Sequence, residues 1–170
     1  LVPFDYGGVL LNVDTRAMPD VPRTWEDLLS PALRRRIIML SPATSSPGRN
    51  FLLLTVAVFG EDRYLDFWRA LKPNILTVTP GWSEGYGLYT QGEAPIVVSY
   101  DTSPAYHLEF EKESRYKTLV LGDVAYAQVE VAGIVNGSRN LEAARRLMDY
   151  LVSPELQGLI PLSQFMYPIH

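Results

Sequence analysis

Covalent catalysis needs a nucleophile, a base of tuned pKa or a metal, and this chain supplies few such groups. His107 and His170 are the only histidines and there is no cysteine, so disulfides, thiolate metal sites and cysteine nucleophiles are excluded together. No His-x-x-x-His pair, Gly-x-Ser-x-Gly elbow or glycine-rich phosphate loop occurs. His107, next to Tyr106 on an expected helix, reads as a surface or hydrogen-bonding residue. What the chain has instead is aromatic side chains beside turns. Gly81-Trp82-Ser83-Glu84-Gly85-Tyr86-Gly87 and Tyr100-Asp101-Thr102-Ser103-Pro104-Ala105-Tyr106 each follow an expected strand and open an expected helix. Open α/β sheets present their ligand crevices at that place. The faces of Trp82, Tyr100 and Tyr106 attract positive charge, by ~2 kcal/mol or more per contact once desolvated, so such a crevice suits a flat cationic ligand. Glu84 and Asp101 inside the clusters, and Asp5 in the opening segment, would add to that attraction. Each carboxylate also reads as a solvated or helix-end charge, and each aromatic as core.

The elements that would position these groups follow from hydrophobic periodicity. Apolar runs predict strands at Val9 to Val13, Arg36 to Leu40, Ile75 to Val78, Ile96 to Ser99, Thr118 to Leu121 and Ala127 to Val135. Amphipathic stretches lie between them, the pattern of an α/β layered domain. Thr24 is expected to cap a helix, with Asp27 in a capping-box position. The run Phe51 to Phe59, apolar nearly all round, predicts a buried helix opened by Pro47-Gly48 and ended by Gly60. Glu61 to Leu71 predicts a helix whose stripe Tyr64, Trp68 and Leu71 faces the core. Ser103 should cap a helix started by Pro104. Near the C-terminus, Leu141, Ala144, Leu147, Met148 and Leu151 form a stripe at helical spacing, and Ser153-Pro154 opens a short helix through Ile160.

With 170 residues, 47% of them hydrophobic, the chain can bury a core, so disorder is not expected. A net charge of -4 and a pI of about 5.2 argue against nucleic acid as a partner. Arg34-Arg35-Arg36 is the one basic run, read as a solvated segment feeding a strand. No run reaches the roughly 18 apolar residues of a membrane span, and the first residues lack the zones of a signal peptide. Opening at Leu1 without Met, the chain reads as an internal fragment, with any export signal upstream.

The two clusters, together with Val2-Pro3-Phe4-Asp5-Tyr6-Gly7, Thr44-Ser45-Ser46-Pro47-Gly48, Gln128-Val129-Glu130 and Met166-Tyr167-Pro168, stand in an order and spacing that resemble one family. This is the thiamine-binding proteins of bacterial ABC importers, within the iron, polyamine and thiamine group of solute-binding proteins. The resemblance implies a type II periplasmic-binding-protein fold: one complete α/β lobe plus the C-terminal helices of the other, closing on ligand through hinge strands. It implies a hinge segment at 1–8, the second lobe at 9–130, and a return hinge with part of the first lobe at 131–170, with Gly7-Gly8 and the stretch near Gly133 as hinge candidates.

Carried over residue by residue, the family's aromatic contacts fall on Trp82, Tyr100 and Tyr106, and a fourth, usually Trp, falls on Phe165. Phe has a weaker quadrupole and no indole donor. Asp101 stands where the family usually has Thr, either favouring a thiazolium or capping the following helix. Ser45 and Ser46 are expected either to bind a ligand tail or to form a turn and N-cap. The implied ligand is thiamine or one of its phosphates, held in an aromatic cleft between lobes, outside the cytoplasm, and delivered to an ABC permease in the inner membrane. No cofactor, metal or covalent step is implied. A fragment lacking part of one lobe is expected to bind weakly, with the helices from Leu141 to Ile160 folding back or swapping into a dimer. The alternatives are a ferric-iron or polyamine receptor of the same fold, although iron receptors typically use adjacent tyrosines that this chain lacks. From another class comes a thiamine-pathway enzyme with His107 and Glu84 as acid and base.

Overall fold

Continuous apolar runs such as Ile37–Leu40 can be satisfied only by strands covered on both faces, and the computed structural model, which describes residues 1–170, builds its sheet around them. The chain divides into two units, Gly8–Tyr126 and a smaller one made of Leu1–Gly7 with Ala127–His170.

In the larger unit the strands are β1 (Val2–Asp14, from Gly8 onward), β2 (Ile37–Leu40), β3 (Ile75–Thr79), β4 (Ile96–Tyr100) and β5 (Tyr116–Leu119), ordered β3-β2-β4-β1-β5. β2 runs parallel to β3 and β4, while β1 is antiparallel to β4 and β5, with Leu11 opposite both Val98 and Leu119. Side-chain alternation divides the core between the two faces. Ile37, Met39, Ile96 and Val98 join Phe51, Leu54, Phe67 and Trp25, while Ile38 and Val97 join Tyr89, Ala94 and Tyr116. The helices α1 (Ser46–Phe59), α2 (Tyr64–Leu71), α3 (Trp82–Thr90) and α4 (Ser103–Tyr106) fill the connections, and a π-helical turn, His107–Glu111, extends α4.

The smaller unit holds the start of β1, most of β6 (Tyr126–Ala132), and β7 (Tyr167–Pro168), which pairs antiparallel with β1 through Asp5 and Tyr6. Its helices are α5 (Leu141–Leu151), α6 (Pro154–Gln157) and α7 (Ile160–Ser163). Asn140 caps α5 by accepting the Ala143 N–H, and Ser153 caps α6 by accepting that of Leu156.

Several expectations are corrected. The first strand begins at Val2 and the fifth at Tyr116, earlier than the apolar runs suggested, because polar and aromatic residues also meet the ladder. The reciprocal Thr24–Asp27 bonds form, at 3.2 Å from the Asp27 N–H and 2.8 and 2.9 Å from the Arg23 and Thr24 N–H groups, and they hold the Asp27 carboxyl below its usual range. No α-helix follows. Pro31 has no backbone N–H to donate and Ser30 caps a second turn, so the segment becomes two 3-10 turns, Asp27–Leu29 and Pro31–Leu33. α1 is not buried all round, since Leu53 is exposed, and α2 starts at Tyr64 and buries Phe67 and Leu71 rather than Tyr64. Thr102, not Ser103, is the residue before α4, and the helix opened by Ser153 stops at Gln157.

Candidate functional site

Because β2, β3 and β4 are parallel, the loops after them leave the sheet at the same edge. That edge carries Ser45 and Ser46, then Trp82 and Glu84, then Tyr100 and Asp101. The Thr44 hydroxyl donates to the Pro80 carbonyl at 2.6 Å, tying the loop that starts α1 to the loop that starts α3. Such an edge is where doubly wound sheets take ligands.

Trp82 is the first residue of α3 and stays half-buried. Its Nε1–H donates to the buried Ser99 Oγ at 2.9 Å, and Ser99 Oγ lies 2.7 Å from Ser103 Oγ. Ser103 Oγ in turn accepts the Tyr100 N–H at 3.3 Å, closing the turn after β4. Tyr86, one helical turn on from Trp82, stacks on its indole with centroids 4.8 Å apart and planes 18° apart, whereas Tyr100 tilts at 54° from 6.4 Å. The Tyr86 hydroxyl meets His107 Nε2 at 2.8 Å, and His107 Nδ1 meets Glu111 Oε2 at 2.6 Å. His107 is therefore buried, not a surface residue, and burial pushes the Tyr86 phenol above its ordinary pKa. Tyr106 is exposed and packs edge-on to His107 and tilted on Phe110.

The remaining polar candidates in this unit have local partners. Ser45 caps α1, accepting the Gly48 N–H at 3.3 Å, while Ser46 is exposed. Glu84 is an exposed first-turn acid whose carboxylate reaches back over Gly81, where a Cβ would lie 2.8 Å from Oε2; it complements the positive end of α3. Asp101 accepts the Gly8 N–H at 3.0 Å, and its own N–H donates to the Gly8 carbonyl at 2.8 Å. A Cβ on Gly8 would come within 2.8 Å of Asp101 Oδ2, so any larger residue there would make the carboxylate shift.

Asp5 and Phe165 belong to the smaller unit. Asp5 is 1% exposed, neither carboxylate oxygen has a hydrogen-bond partner, and burial, with the charge of Glu130 second, pushes its pKa up to about 6. Phe165 is half-buried with φ +53°, just before β7. In the same unit the buried Gln157 donates to the Phe4 and Leu151 carbonyls, both at 2.8 Å, and accepts the Ile169 N–H at 2.7 Å.

Sequence reasoning missed Ser99, Ser103, Tyr86 and His107 as parts of the aromatic wall. The available signal was spacing: Tyr86 lies four residues after Trp82, and Ser103 four after Ser99. No three His, Asp or Glu side chains converge into a metal-binding group, and no helix is long and apolar enough to cross a membrane.

The sequence pattern of the bacterial extracellular solute-binding proteins matches residues 1–170. The "Thiamine-binding periplasmic protein" of Escherichia coli (strain K12) is 39% identical over 168 residues, covering 99% of this chain and 51% of the relative. That of Brucella abortus biovar 1 is 38% identical over 167 residues, covering 98% and 50%. A solved structure titled "Periplasmic thiamin binding protein" superposes with a TM-score of 0.93 at 38% identity, over 99% of this chain and 52% of that one. The chain thus spans about half the length of the relatives it matches.

Proposed function

This chain belongs to the family of bacterial extracellular solute-binding proteins, and on that footing we propose that it binds thiamine through the aromatic wall of its larger unit. The observation that carries the reading is Trp82, an indole held at the edge of the sheet by Ser99 and backed by Tyr86, yet only half-buried. A pinned aromatic face loses little freedom on binding, and it attracts a flat cation such as a thiazolium through its quadrupole. Tyr100 and Tyr106 supply further aromatic surface. The wall needs no covalent step, and what the named relatives bind, thiamine, fits its chemistry. Transport follows from the same reading: the protein works outside the cytoplasm and passes thiamine to an ABC permease. Asp101 and Ser45 act here through their bonds to backbone amides, and Glu84 through its charge at the start of α3, shaping the loops that carry the wall.

Thiamine titrated into the protein at its native length, followed by tryptophan fluorescence and calorimetry, should show saturable binding. Trp82→Ala should weaken it by about 30-fold or more, the equivalent of ~2 kcal/mol. Binding that is indifferent to Trp82, or a preference for spermidine or for iron(III) with a visible tyrosinate band, would overturn the assignment.

A further inference from the structure

The four rings of Trp82, Tyr86, His107 and Tyr116 form a column. Successive planes differ by 18°, 28° and 33°, and His107 and Tyr116 have centroids 3.9 Å apart. A hydrogen-bond chain runs along it, from Glu111 through both nitrogens of His107 to the Tyr86 hydroxyl, which also has the Ser103 side chain as a partner. Its inner members are sequestered, with His107 1% exposed, but its outer end is a surface carboxylate, the Glu111 side chain being 45% exposed. The chain is assembled by the π-helical turn, which places His107 and Glu111 four residues apart on one side and is stopped by Lys112 in the left-handed conformation, φ +55°. No helix-capping or core-filling requirement calls for this pair: Glu111 lies outside the core, and a buried imidazole between two polar partners is costlier than a leucine of similar size.

From this arrangement, and resting on the reading that Trp82 is the ligand wall, we infer that His107 and Glu111 are positioning residues for solute binding. Glu111 accepts the hydrogen bond that Nδ1–H donates and so fixes the imidazole tautomer. Nε2 is then left with its lone pair, and the Tyr86 O–H donates to it. With its hydroxyl anchored, Tyr86 cannot rotate away from Trp82, and the indole is clamped between this stack and its bond to Ser99. A carboxylate on the surface thereby sets the order of an aromatic face that it does not touch.

The test is a double-mutant cycle in the protein at its native length, with thiamine as probe. Glu111→Ala should weaken thiamine binding by about 3- to 10-fold, as for one lost hydrogen bond, with an unchanged far-UV spectrum. Tyr86→Phe, which keeps the stacked ring but removes the hydroxyl, should do the same, and Glu111→Ala added to it should cost nothing more. His107→Gln, which can still accept from Tyr86, should retain affinity better than His107→Leu. In the ligand-free protein labelled with 5-fluorotryptophan, the Trp82 resonance, assigned by its loss in Trp82→Phe, should move or broaden in Glu111→Ala but not when the same change is made in Tyr86→Phe. Additive losses, or a Trp82 signal blind to Glu111, would overturn the inference. If the unmodified protein fails to bind thiamine, the proposed function fails instead, and the ligand-free resonance still decides whether Glu111 controls Trp82.

Discussion

The two units are held together internally by different means. Gly8–Tyr126 owns nearly the whole buried apolar core, whereas in the unit of Leu1–Gly7 and Ala127–His170 only Ile160 and Met166 are buried apolar side chains. α5 has a clear apolar stripe yet buries no residue, and Leu141 and Leu147 remain exposed. What organises the smaller unit is polar: Gln157 ties the start of β1, the end of α5 and the C-terminal segment, and Asn140 and Ser153 cap its helices. Within residues 1–170, amphipathic spacing gives α5 its local structure without burial, because burial depends on what else is there to pack against.

The largest effect should come from the apolar side of the contrast. Phe51→Ala opens a cavity beneath Trp25 and Trp68 and should lower the stability of the larger unit by about 3 to 5 kcal/mol in denaturant unfolding. Next, Gln157→Ala strips partners from two carbonyls and an amide and should destabilise the smaller unit by about 1 to 3 kcal/mol. Hydrogen exchange would show this as lost protection at Ile169 and along α6. Protection unchanged there would deny the polar clamp its role.

Asp5 sharpens the comparison through pH. Its folded pKa of about 6 lies above the ordinary 3.8, so between those values the folded state binds more protons than the unfolded one. The stabilisation from Asp5 is thus full below the lower value and is lost as pH rises through about 6. Asp5→Asn should therefore raise the melting temperature above pH 7, by the equivalent of about 1 kcal/mol, and change little near pH 4. A gain that is the same at both pH values would mean that ionisation is not the cause. In a protein of residues 1–170, the smallest effect should be that of Leu147→Ala on α5: its side chain is exposed there, and the loss should stay within about 0.5 kcal/mol. A loss like that of Phe51→Ala would erase the distinction between the units.

The sequence by itself determined the α/β class, most strands, the helices from Ser46, Trp82 and Leu141, and the family, because periodicity, caps and ordered motifs are local properties of the chain. It also pointed to Trp82 and Tyr100 through their place at strand ends. Only the tertiary structure decided which side chains support the wall. Ser99 meets Trp82 across 17 positions and Tyr86 meets His107 across 21, and Asp101 is claimed by Gly8 across 93. No local pattern encodes such pairings. The first two arise where parallel strands bring their ends together and the third where β1 runs antiparallel to β4, and there a polar group must find its partner within hydrogen-bond reach.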